Sequence, residues 1–404
     1  MMKYFILVIS LGFHSSKLLC QKPSDQLDSL FKTVYKEKEP GAAIAIQCNG
    51  KIIFEKSYGL ADLQTMEKIN AQTNFNIGSL TKQFTAYSVL LLEKQKKLSL
   101  DDKLIKYFPD FNPSTGNMIT LRHLLSHSSG IEDHYTYTDT SRVHHATDKD
   151  VLSAVKNIGT TYFPPGTHYR YSNTAYCILG MIIEKVSGYS YADFIQKNIF
   201  DPLGMKHSTV FSIGSFILHR ALGYDMDSSD NKKFHRLDAD DAIFFSTEGD
   251  GGIYTSVNDY LKWISALQTG NILDRSLITK AGSPQFEIDP AKQLAYGFGW
   301  FVGQDDTLCM IYHTGSNGGF RAICFRIPSQ QFAIVIFSNR TGIDLEDFVP
   351  KISRICHIND KSFIKISSLV SFLDCWPIFA PCKEIPLYST SFIKNLNVSA
   401  MVLN

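Results

Sequence analysis

The chain reads as an α/β protein in which both ends supply one antiparallel sheet and the stretch between them, about 79–270, makes an all-helical lobe. Three observations predict this. Strand-type apolar patterns occupy 42–58 and stretches of 297–338, whereas over about 79–270 apolar residues mostly recur every three to four residues with helix caps. An Asn49-Gly50 pair sits between two alternating runs, and that dipeptide favours the positive φ angles of a two-residue hairpin turn. Sheet and helical lobe would then meet along a cleft.

Taken in order, Leu27, Leu30, Phe31 and Val34 lie on one helical face and predict an amphipathic helix over 24–38. Ala42–Cys48 and Lys51–Tyr58 form the hairpin. Helices follow at 150–157, at 174–187 closed by Gly188, and at 191–198; Ser256-Val257-Asn258-Asp259 reads as a capping box before Leu261, Ile264 and Leu267. Loops rich in His, Asp and Tyr separate these at 131–147 and 223–241. Strands return at 297–302, 308–313, 320–327 and 331–338, then a helix at 344–356. Residues 357–404, with Cys375-Trp376-Pro377, read as a tail of unknown role.

The 404 residues, 44% hydrophobic, can bury a large core. With 40 Lys+Arg against 39 Asp+Glu there is no broad positive surface for a polyanion, which argues against nucleic acid and for a small-molecule or peptide substrate. Lys3 followed by an apolar stretch from Tyr4 to Phe13 reads as a signal peptide over 1–20, implying export to a periplasm or the medium. Membrane association would follow only if Cys20 carried a lipid. Eight cysteines in so long a chain do not make a disulfide scaffold; Cys48, Cys177 and Cys324 fall in apolar patterns as packing residues, while Cys309 and Cys324 flank a presumed hairpin turn as a possible pair. The sequence does not set the oligomeric state.

Ser79 and Lys82, three apart at the start of a helical run, share a face, and an amine one turn from a serine can take the hydroxyl proton. The spacing recurs at Ser29/Lys32, Ser153/Lys156, Ser229/Lys232, Ser362/Lys365 and Ser391/Lys394, so context must choose. Only Ser79 combines a preceding strand pair, a helix whose interior reads Phe84, Val89, Leu91, Leu92, and two later motifs: Tyr171-Ser172-Asn173 after Pro164-Pro165-Gly166, then His313-Thr314-Gly315 before a strand. With that order the chain, over about 25–355, resembles the serine hydrolase family of class C β-lactamases, DD-peptidases (penicillin-binding proteins) and related esterases. The likeness extends to 119–127, 201–205, 251–256 and 296–300.

The resemblance implies a β-lactamase-like domain over 21–356 and an acyl-enzyme mechanism. Ser79 would be the nucleophile, Lys82 and Tyr171 the proton-transfer pair, Asn173, His313, Thr314 and Gly315 the substrate-binding residues, and the amides of Ser79 and Ser316 the oxyanion donors. Free lysine titrates near ~10.4, so a neutral Lys82 at pH 7 needs a shift of roughly 3 units, about 4 kcal/mol; the alternative base is Tyr171, made acidic by a cationic Lys82. Sequence leaves both open. His313 replaces the lysine of dedicated β-lactamases, so its pull on a carboxylate should be weaker and pH-dependent, favouring esters, amides or peptides over β-lactams. A penicillin-binding receptor or pseudoenzyme that does not turn over is the alternative. His123 and His127, four apart, match a zinc spacing, but with Leu124 and Leu125 between them they read as packed residues bonded to backbone; no metal or cofactor is expected.

Overall fold

The computed structural model describes residues 23–139, 145–227, 229–230, 233–240, 242–304 and 308–358; the expected leader, Cys20 and the tail beyond residue 358 lie outside them. Eight strands form one sheet in the order Phe286–Asp289, Leu294–Tyr296, Phe301–Gln304, Cys309–Asn317, Phe320–Ile327, Phe332–Ser338, Ala42–Cys48, Lys51–Tyr58. Every neighbouring pair is antiparallel. The chain ends join in its interior, where Ala42 lies opposite Ser338 and Gln47 opposite Ala333. Asn49 (φ 49°) and Gly50 (φ 74°) make the tight hairpin turn.

Alternation sorts the strand residues into two cores. Ala43, Ala45, Ala333, Val335 and Phe337 face the helical block, and their mostly small side chains let helix Val257–Thr269 lie close, with helix Thr81–Lys94 packed in the same core. Ile44, Ile46, Ile334 and Ile336 face the other way, under helices Pro23–Val34 and Phe348–Ile355. Phe84 stacks on Trp263 with ring centroids 4.4 Å apart and anchors the helical side.

Several boundaries differ from the sequence reading for physical reasons. The first helix stops at Val34 rather than 38, where Lys36 Nζ folds back to the carbonyls of Lys32 (3.0 Å) and Thr33 (2.8 Å) and Pro40 follows. The expected strand 297–302 is broken by Gly297 and Gly299 (φ 76°) into the ends of two strands. Edge strand Phe286–Asp289 carries no alternating burial and was not anticipated. Ser256 caps its helix, accepting from Asp259 N at 3.2 Å, but the Asp259 carboxylate does not reciprocate; it accepts from His207 N (2.7 Å) and Ser208 N (3.1 Å). Cys309 and Cys324 are both free thiols: Cys324 lies opposite His313 and Cys309 opposite Gln304, so strand register rules out the suggested pair.

Candidate active site

Ser79 lies on a 3-10 turn, Gly78–Leu80, that runs straight into helix Thr81–Lys94. The turn is held by Asn76, whose Oδ1 accepts from Gly78 N at 2.7 Å, and Gly78 takes φ 49°. Lys82 is fully buried and Ser79 partly exposed. The lysine ammonium reaches three acceptors: Ser79 Oγ at 2.9 Å, Asn173 Oδ1 at 2.8 Å and the Asp250 carbonyl at 2.9 Å. Burial lowers its pKa to about 8, partly countered by the Asp250 carboxylate and Cys177. Of the decoy pairs, Ser29/Lys32 and Ser153/Lys156 behave as surface residues, Lys32 bonding Asp28 and Lys156 bonding Asp110, while Ser229/Lys232, Ser362/Lys365 and Ser391/Lys394 fall wholly or partly outside the described residues.

Tyr171 and Asn173 arrive on one segment. Ser172 is extended (φ −140°, ψ 114°) and caps helix Asn173–Ser187 by accepting from Ala175 N at 3.1 Å. An extended residue between them turns the side chains of Tyr171 and Asn173 to the same side. The Lys82 ammonium stands 4.9 Å from the centre of the Tyr171 ring, and the phenol interacts with the Ser79 hydroxyl. Burial raises the Tyr171 pKa well above 10, with the Ser79 contact opposing, so the resting phenol is protonated. Of the two bases left open by the sequence, these directions favour Lys82.

Strand Cys309–Asn317 borders the Ser79 turn. Phe301–Gln304 pairs only with its first four residues, so from His313 onward its second edge is open on the side of the serine turn. Glycine makes this approach possible: a Cβ on Gly315 would stand 2.0 Å from the Ile77 carbonyl, and one on Gly78 would stand 2.8 Å from Ser316 N. The Ser316 amide is thus beside the Ser79 turn. His313 is buried, and its two ring nitrogens are engaged, Nε2 with the Tyr296 hydroxyl at 3.0 Å and Nδ1 with the Thr314 carbonyl at 2.6 Å. Burial and the Lys82 charge push its pKa down to about 3, so it is neutral throughout the physiological range. This corrects the expected pH-dependent pull on a substrate carboxylate.

Four further residues shape the site without an obvious sequence signal. Asp250 acts on Lys82 through its backbone carbonyl, and the loop that carries it is fixed by buried Asp148, which accepts from Glu248 N and Gly249 N at 3.0 Å each. Asp148, Cys177 and Asp250 place ligand-type atoms within 4.8 Å of one another, but Cys177 Sγ already donates to Asp250 at 3.4 Å and Asp148 is spent on the two amides. His127 lies past the end of helix Leu121–Leu125 with φ 57°, not on it. Its carbonyl accepts from Arg170 N (2.9 Å), its Nδ1 accepts from Ser172 N (3.1 Å), and its ring lies 4.1 Å from that of Tyr171. It grips the tyrosine's segment from both sides. His123 forms a capping box with Thr120. Tyr135, in the loop after residue 131, accepts from Asn173 Nδ2 at 3.0 Å.

A serine beside a buried lysine, facing a tyrosine and an open strand edge, is an arrangement suited to nucleophilic acyl transfer. The family model described as Beta-lactamase matches residues 27–350, and the chain belongs to that family. It is 29% identical over 333 residues to Penicillin-binding protein 4* of Bacillus subtilis, covering 79% of this chain and 72% of that one. Protein flp of Staphylococcus aureus is 28% identical over 366 residues, covering 87% and 70%. Among solved structures, the octameric penicillin-binding protein homologue from Pyrococcus abyssi superposes with TM-score 0.68 at 25% identity, over 87% of this chain and 76% of that one. The D-amino acid amidase of Ochrobactrum anthropi shares the fold, with TM-score 0.66 at 22% identity over 87% and 98%. The chain is therefore a β-lactamase-family hydrolase or penicillin-binding-protein homologue.

Proposed function

We propose that the protein is an exported serine hydrolase that cleaves small ester, amide or peptide bonds through an acyl-enzyme. The observation that carries this is the fully buried Lys82 ammonium 2.9 Å from Ser79 Oγ, its pKa lowered to about 8. At neutral pH a usable fraction of such a lysine is unprotonated and can take the serine proton as Oγ attacks the carbonyl. The amides of Ser79 and Ser316 face the developing oxyanion, each worth about 10²- to 10³-fold in rate. When the tetrahedral intermediate collapses, the protonated Tyr171 phenol gives its proton to the leaving group and regains one from Lys82; water then repeats the cycle in reverse to free the acid. Asn173 keeps the lysine in place and offers its remaining N–H to the substrate.

Substrate preference follows from His313. A neutral imidazole with both nitrogens engaged supplies no cation for the carboxylate of a β-lactam, so esters and amides should be better substrates. Export rests on the basic-then-apolar character of residues 1–20. Among the described residues no helix is long and apolar enough to cross a membrane.

The test is steady-state kinetics on a p-nitrophenyl ester and a chromogenic cephalosporin with the wild type and Ser79→Ala. The ester should have the higher kcat/KM, and Ser79→Ala should lose at least about 10³-fold, as for removal of a catalytic nucleophile. A wild-type cephalosporin advantage contradicts the ester preference. A burst of one equivalent followed by silence identifies a penicillin-binding receptor instead of an enzyme.

A further inference from the structure

We infer that the protein holds a small monovalent anion, chloride in ordinary buffers, on Arg326 in the layer between the sheet and the helical block. Arg326 stands on strand Phe320–Ile327, two residues along from Cys324 and therefore on the same face of the sheet, toward the helices; Ile311 and Ala333 flank it on the neighbouring strands. It is 3% exposed, and among the described residues none of its nitrogens makes a hydrogen bond or an ion pair. The guanidinium carbon lies 5.8 Å from the centre of the Trp300 ring, a cation–π contact that leaves its N–H groups without acceptors. A guanidinium stays charged at physiological pH, so burying one calls for a counter-charge. The ionisable groups that act on it supply none: burial pushes the Cys324 thiol up to about 11 and the Tyr260 phenol well above 10, and both are neutral at pH 7.

A second orphan donor lies in the same layer. Gln83 Oε1 accepts from the Tyr260 hydroxyl at 2.7 Å and from Trp263 Nε1 at 3.1 Å. An indole nitrogen can only donate, which fixes the orientation of the amide and leaves Nε2 without a partner in a residue 1% exposed. Tyr260 joins the two orphans, since its phenol bonds Gln83 and also meets the Cys324 thiol beside Arg326. Unpaired donors around a fixed positive charge, with no carboxylate bonded to them among the described residues, suit an anion and repel a metal ion. There is room for one: Arg326 Nε is sealed, but the two terminal nitrogens, equally unbonded, keep accessible surface and so adjoin a solvent-sized space. Water there would satisfy the N–H groups and leave the charge uncompensated. Near-complete burial leaves no mouth for a larger carboxylate or phosphate compound.

Two measurements on the full chain test this: anomalous scattering at the bromine edge from crystals grown in sodium bromide, and thermal melts in sodium chloride against sodium gluconate at equal ionic strength. A bromide peak should stand within hydrogen-bond reach of the Arg326 guanidinium. Wild type should melt about 5 °C higher in chloride, the shift that a hundredfold excess over Kd gives a chain of this size. Arg326→Met replaces the unpaired charge by an apolar chain of similar length and should melt alike in both salts. Absence of a bromide peak at Arg326 overturns the proposal, as does a wild type that melts alike in both salts, or a chloride advantage that persists undiminished in Arg326→Met. If Arg326→Met does not fold, Gln83→Leu takes its place in the melts, where a shrunken chloride advantage supports the site and an undiminished one overturns it; the bromide peak is read on wild type alone.

Discussion

Lys82 is held where water would otherwise keep it charged, and the consequence is a pH profile. Because burial places its pKa at about 8, the base form grows as pH rises through that value, and kcat/KM should climb and level off above it. His313 should add no inflection near 6.5, since its pKa lies at about 3 and it stays neutral on both sides of that pH. A step near 6.5 that disappears in His313→Gln would contradict this assignment. His127 offers a second residue-scale prediction. His127→Phe keeps a ring against Tyr171 but leaves the Ser172 N–H without its acceptor, an unsatisfied buried group worth about 1–3 kcal/mol. His127→Asn keeps an acceptor and tolerates the positive φ, but loses the ring. Thermal melts should show the Phe variant the less stable, while kcat should fall in both.

Between elements, the contact that matters is the open edge of Cys309–Asn317 against the Gly78–Leu80 turn. Gly315→Ala would drive a methyl into the Ile77 carbonyl and push the strand off the turn, separating the Ser316 amide from the Ser79 hydroxyl. The expected loss is about 10²- to 10³-fold in kcat, that of one oxyanion donor, with KM changed far less; an unchanged kcat would mean the Ser316 amide is not used. The motif-bearing elements were legible because local chemistry specifies them: Asn49-Gly50 sets a turn, Gly188 (φ 78°) ends a helix, and Ser172 caps one between Tyr171 and Asn173. What stayed hidden acts through backbone or tertiary placement. Asp250 contributes a carbonyl, which any residue has. His127 works from a left-handed conformation that brings it back onto Tyr171, and its four-residue spacing from His123 gives no hint of that. Phe286–Asp289 owes its strand to its neighbour, since its own side chains show no alternation.

Across the whole molecule, a sheet closed by the two chain ends frames the helical block, and the seam is stitched by one buried amide. Asn339 accepts from Gly41 N at 2.7 Å and donates to the carbonyls of Leu60 (3.1 Å), Ala61 (3.2 Å) and Leu222 (2.9 Å), so it touches the residue leading into strand Ala42–Cys48, the stretch after the hairpin and the inserted block together. Asn339→Ala strands several of these groups, and a urea titration should show a loss of about 3 kcal/mol, against a near-zero change for an exposed site such as Ser114. The motif residues converge because this frame holds the serine turn, the Tyr171 segment and the strand edge at fixed separations. The most direct test of that convergence is intact-mass analysis after a fluorophosphonate probe, followed by peptide mapping. The account predicts one adduct per chain, on Ser79, forming at least about a hundredfold more slowly in Lys82→Ala, the scale of a lost general base. No adduct, an adduct on another serine, or labelling indifferent to Lys82 would contradict it.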